Sequence, residues 1–147
     1  MDILFQVVSI PDAKSDENQT ATENASASIA KILYAFNTTI PNVETYIANW
    51  VRSLPILVDE EAAAFAYRYL SHLIDTFSPA VCEPSTIPVI VNNVIEGLHH
   101  KSIQGKNALA VVESTKKLLS SLGQDQAMGL LQSYPPDVAQ TIQEWFF

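Results

Sequence analysis

The chain has 147 residues, 48% of them hydrophobic, with eight lysines and arginines against sixteen aspartates and glutamates for a formal charge of −8. That length fits one domain able to bury about two-thirds of its unfolded surface, and the apolar share excludes a disordered polymer. The acidic balance disfavours nucleic acid and anionic membrane and suits basic partners, although solubility alone also accounts for it.

In chain order, residues 3 to 8 (ILFQVV) are apolar but too short and isolated to be expected as an element of their own. The opening carries Asp2 and no basic stretch, a poor secretory signal, so an intracellular protein is expected. Pro11 to Thr22 is polar and acidic and reads as an exposed loop. A helix is predicted from about Thr20–Asn24 to Phe36, with Ala25, Ile29, Ile32, Leu33 and Phe36 on one face.

The most ordered stretch runs from Val43 to Phe77. Val43, Tyr46, Ile47, Trp50, Val51 and Leu54 recur at helical spacing, as do Ala62, Phe65, Ala66, Tyr69, Leu70, Leu73, Ile74 and Phe77. Pro55 cannot continue a helix interior, so a corner is placed at 55–59. Asn42 and Asp59 are the expected N-caps, with Glu44, Glu60 and Glu61 in first turns where the helix dipole favours negative charge. Ser78-Pro79 breaks the pattern and opens a loop holding Cys82 and Pro84. Thr86 to Leu98 and Ala108 to Leu122 are two further helices, the second stopped by Gly123. Two shorter ones, Asp125 to Gln132 and Pro135 to Trp145, finish the chain.

No strand pair with hairpin turn chemistry occurs, so the fold class is all-α, with about seven helices. Capped helices with early alanines start near Asn24, Asp59 and Asn107, a spacing of about 35 to 48 residues, in the range of paired-helix solenoids. The expected organisation is a loop or a remnant of an upstream repeat over 1–19, then a repeat segment with a terminal cap over 20–147. The helix at 24–36 has no upstream partner, which fits the C-terminal piece of a longer array.

Residues for catalysis or metal binding are sparse. Cys82 is the single cysteine, which excludes an internal disulfide and a cysteine-based metal cluster. His99 and His100 are adjacent and point about 100° apart on a helix, and they read as solvated loop histidines rather than metal ligands. The four glycines form no phosphate-binding or nucleophile motif, so no enzyme activity and no cofactor are expected.

The run Glu23 to Phe36, followed by Pro41 to Asp75, resembles the C-terminal HEAT repeats of importin-β (karyopherin-β) nuclear import receptors, the importin five and importin four types in particular. The features that carry the resemblance are Asn24-Ala25, the Trp50 to Pro55 helix end, the acidic corner Asp59 to Ala62, and the proline-led closing stretch Pro135 to Phe147. It implies an α-solenoid of stacked antiparallel helix pairs and a protein-binding scaffold for cargo bearing basic nuclear-localisation signals, such as ribosomal proteins and histones. Contacts with nucleoporins and Ran-GTP through the full-length receptor, and shuttling between cytoplasm and nucleus, are also implied. Nucleic acid and membrane insertion are not. In such solenoids the second helix of each pair lines the concave face, which marks Glu60, Glu61, Arg68, Asp75 and Glu113 as candidate cargo contacts. Glu60 and Glu61 also suit a helix start with no further role. The alternative is a HEAT-type structural scaffold or self-associating adaptor unrelated to transport.

Overall fold

The computed structural model describes residues 1–147, and all of its regular structure is helical. The helices are α1 (Asp2–Ser9), α2 (Gln19–Phe36), α3 (Val43–Val51), α4 (Glu60–Asp75), α5 (Pro79–Cys82), α6 (Ile87–His99), α7 (Gly105–Leu122), α8 (Gln124–Gln132) and α9 (Pro136–Phe146). None is long and apolar enough to cross a membrane.

Two rows result. In one, α4 packs between α2 and α7. In the other, α3 meets α5, α5 meets α6, and α6 meets α9, while α2 with α3 and α6 with α7 tie the rows together. This is the layered helix-pair layout of a HEAT solenoid. Small residues let the first row close up: Ala27 and Ala30 of α2, and Ala62, Ala63 and Ala66 of α4, are all buried. Larger side chains fill the space between rows, with Trp50, Leu33, Ile56, Leu70, Ile90 and Ile95 wholly buried. Each large apolar side chain so buried contributes about 1.5–3 kcal/mol.

Nine helices stand where about seven were expected, and the two additions share one cause. Periodicity in isolation misses a short helix whose stability comes from a neighbour. Residues 3–8 form α1 because α1 lies on α2 and its Phe5 ring meets Tyr46 of α3 at 5.8 Å. Likewise α5 is a single turn inside the expected loop, started by Pro79, whose missing N–H costs nothing at that position.

Three local readings also change. Asn42 sits at the start of α3, but its side chain accepts no capping bond; it supplies a left-handed backbone (φ 54°), which asparagine tolerates better than most residues. Phe77 does not close the α4 stripe. The helix ends at Asp75, Phe77 takes φ 58°, and its ring is 80% exposed. Its N–H donates to the Ile74 carbonyl and that of Ser78 to Leu73, the paired bonds of a Schellman stop. Phe36 likewise leaves the α2 stripe and stands 55% exposed. Asp59, by contrast, caps α4 as expected, accepting the Ala62 N–H at 2.8 Å. Gly123, at φ 87°, is the joint between α7 and α8.

Candidate functional site

The corner between α3 and α4 is held by polar groups from four other places in the chain. Glu23 of α2 is 1% exposed, and its carboxylate accepts the N–H groups of Leu57 (2.8 Å), Val58 (3.1 and 3.2 Å) and Asp59 (2.8 Å). The Gln19 side-chain amide donates to the same carboxylate at 3.1 Å. Lys14, from the segment before α2, donates to the carbonyls of Ser53 and Pro55. Burial pulls the Lys14 ammonium below its usual pKa, and Glu23 nearby partly restores it. Behind the corner, the Tyr67 hydroxyl accepts the Ile56 N–H and donates to the Asn93 carbonyl, while Ser102 donates to the Ile56 carbonyl at 2.6 Å. Burial pushes the Tyr67 phenol far above its ordinary range. Trp50 closes the set by donating its indole N–H to the Ser26 carbonyl at 3.0 Å.

The next corner repeats the device. Glu44 of α3 accepts the Ser78 hydroxyl at 2.7 Å and the Ala80 N–H at 2.9 Å. In both places a carboxylate from an earlier helix satisfies backbone donors that the corner leaves without partners. The α6 exit also repeats the α4 exit: Lys101 takes φ 60°, and the N–H groups of Lys101 and Ser102 donate to Leu98 and Gly97. The Glu23-held entry of α4, its left-handed, Glu44-held exit and the left-handed exit of α6 thus set how α4 and α7 follow α2 in their row. What that row presents outward is the candidate binding face.

The five residues singled out from the sequence lie on this row but do not converge. Glu60 and Glu61 are exposed at the start of α4, and Asp75 is its last residue, about 22 Å away along the axis. Glu60 borders a small cleft of about 160 Å³ with Ser102, Gln104 and Asn107. Asp75 is already engaged with α7, accepting Lys117 at 2.8 Å and the Ser114 hydroxyl at 3.1 Å. Glu113 pairs with Lys116 at 3.2 Å. Arg68 lies midway along α4 with its guanidinium 5.8 Å from the Phe65 ring centre.

Residues 59–112 match the importin repeat family. That stretch runs from the Asp59 cap through α4, α5 and α6 into α7, while the carboxylates that hold its two corners, Glu23 and Glu44, lie before it. The chain as a whole is 47% identical over 146 residues to importin subunit beta-3 of Saccharomyces cerevisiae, a match covering 99% of this chain and 13% of that protein. It is also similar to the solved structure of Kap121p bound to RanGTP, with 42% identity, a TM-score of 0.83, and coverage of 99% of this chain and 13% of that one. Against Kap121p bound to Ste12p the identity is again 42% and the TM-score 0.82, over 99% of this chain and 12% of the other. The chain therefore spans about an eighth of the length of the relatives it matches. It is homologous to a karyopherin and folds as the corresponding piece of a HEAT solenoid.

Sequence reasoning missed the residues that build the corners. One signal for Glu23 was present: it falls in phase with Ala27 and Ala30, so a charge occupies the buried stripe of α2. Asn93 sits the same way beside Ile90 and Val94 and donates to the Val51 carbonyl at 3.0 Å. Lys14 had no such signal, because it lies outside any periodic segment. No group of histidine, cysteine, aspartate and glutamate side chains is placed to hold a metal ion.

Proposed function

We propose that this chain is a non-enzymatic, protein-binding segment of a nuclear import receptor that shuttles between cytoplasm and nucleus. The observation that carries this reading is the whole-chain similarity to Kap121p, solved in complexes with RanGTP, with Ste12p and with the extreme C-terminus of the phosphatase Cdc14p. The row of α2, α4 and α7 is the face offered to cargo. On it Glu60 and Glu61 are free acids able to take lysines of a nuclear-localisation signal, while Asp75 and Glu113 reach cargo only by exchanging Lys117 and Lys116 for a cargo lysine. Arg68 marks the middle of the same face. Ribosomal proteins and histones fit as basic cargo. Ran-GTP and nucleoporins engage the full-length receptor.

The test is titration calorimetry of the full-length receptor, with and without this segment, against a lysine-rich signal peptide at several salt concentrations. The reading expects tighter binding with the segment present and a loss of affinity as salt rises. Equal affinity with and without the segment contradicts it. A second reading, a self-associating scaffold, is favoured by the exposed Ile3 on the outer side of α1; a stable dimer in light scattering supports it.

A further inference from the structure

The same helix row carries a feature that basic cargo does not explain. Tyr34 of α2 stands 54% exposed and meets three rings of α4 edge-on: Phe65 at 6.2 Å, Tyr69 at 6.0 Å and His72 at 5.8 Å. With Arg68, these residues enclose a cup of about 360 Å³, room for one large apolar side chain and its flanking backbone. Two cations lie against Phe65, one wall of the cup. Lys31 lies 5.7 Å and Arg68 5.8 Å from the centre of the Phe65 ring. Neither is engaged in an ion pair, so both are free to take a carboxylate from a ligand.

Like charges near one ring repel each other, and the ring's negative face offsets only part of that repulsion. An anionic ligand removes that repulsion, and the aromatic walls supply contact area at little entropic cost. We propose that the Tyr34–Phe65–Arg68 cup docks an acidic linear peptide, one large apolar or aromatic side chain entering between the rings while flanking carboxylates pair with Lys31 and Arg68. The charge of the rim decides the occupant. A lysine-rich segment meets two cations there, whereas Glu60 and Glu61, about one to one and a half turns before Phe65 and about two before Arg68, stay available for it. The proposal holds independently of basic-cargo binding.

The test uses the full chain and a fluorescein-labelled nonapeptide of aspartates and glutamates around a central phenylalanine, followed by fluorescence anisotropy. Two controls carry a central serine, or lysines in place of the acids. The expected result is saturable binding of the first probe that falls at least about tenfold with the Lys31→Glu/Arg68→Glu pair, with the serine probe, or with Tyr34→Ser. Tyr34→Ser alters an exposed ring, and circular dichroism establishes that it keeps the helical content. Amide shifts in nuclear magnetic resonance are expected at Lys31, Tyr34, Phe65, Arg68 and His72. The proposal is overturned by absence of saturable binding, by equal affinity for the lysine probe, by indifference to the substitutions, or by shifts centred elsewhere, as a second copy docking at another face produces.

Discussion

Glu23→Ala is the substitution that most directly probes how the corners hold the helix row. It removes the single carboxylate that accepts three consecutive backbone N–H groups at the α3–α4 corner. Val58 is exposed, so water replaces its bond at small cost, whereas the corner at Leu57 and Asp59 is half-buried. Leaving those two donors without their charged acceptor costs about 1–2 kcal/mol each. Lys14 also loses the negative charge that offsets its burial. The total is about 3 kcal/mol. For a chain of this size each kcal/mol shifts the melting temperature by about 2–4 °C, so a fall of about 9 °C is expected. Thermal and urea unfolding followed by circular dichroism measures it, with Glu17→Ala as the exposed-acid control. Hydrogen exchange adds a local readout, since the Leu57 and Asp59 amides exchange faster once unanchored. Glu23→Gln destabilises too, because its amide turns donors toward donors. A loss below about 0.5 kcal/mol for Glu23→Ala, equal to the control, refutes the reasoning.

Three further outcomes follow from the same geometry. A methyl at Gly97 meets Ile103 Cδ1 at 2.5 Å and the Tyr67 hydroxyl at 3.0 Å, so Gly97→Ala costs about 1–3 kcal/mol in urea unfolding. Phe77 pays for its left-handed backbone with no buried contact to show for it, so Phe77→Gly leaves stability unchanged or raises it by up to about 1 kcal/mol in the same assay. Tyr69 has a buried hydroxyl without a partner, so Tyr69→Phe keeps or gains stability at neutral pH. Burial, with Glu44 adding, pushes the Tyr69 phenol up to about 12, and burial with Glu96 does the same for Tyr134. The folded state therefore holds these protons longer than the unfolded chain. Stability is intact below pH 10 and falls between about 10 and 12, less steeply in Tyr69→Phe, as pH-dependent melting curves show.

The helices with long apolar stripes were legible in the sequence because periodicity and burial coincide in them. Trp50, Leu54, Leu70 and Ile74 all lie where their spacing puts them. The corner at Pro55 and the Asp59 cap were equally plain, since each depends on the chemistry of one residue and its immediate neighbours. Helix α1 was not, because its stability resides in α2 and Tyr46, thirty or more residues away from part of what it touches. Glu44 shows the same limit at a site. Its place in a first turn satisfied a local explanation, yet its carboxylate serves Ser78 and Ala80 on a later corner. The candidate cargo acids lie on α4 and α7, the helices their spacing predicts, but pairing of Asp75 with Lys117 depends on the α4–α7 packing and could not be read from either helix alone. The aromatic cup escaped notice for a similar reason: Tyr34 lies off the buried stripe of α2 and gains meaning only beside α4.

The measurement that tests the cargo-binding account most directly is charge reversal at Glu60 and Glu61 in the full-length receptor, read as affinity for a lysine-rich signal peptide. Both side chains are exposed and neither builds a corner, so folding is preserved. The account predicts weakening of at least about tenfold at physiological salt and convergence with the unmodified receptor at high salt. Identical affinities at every salt concentration contradict it.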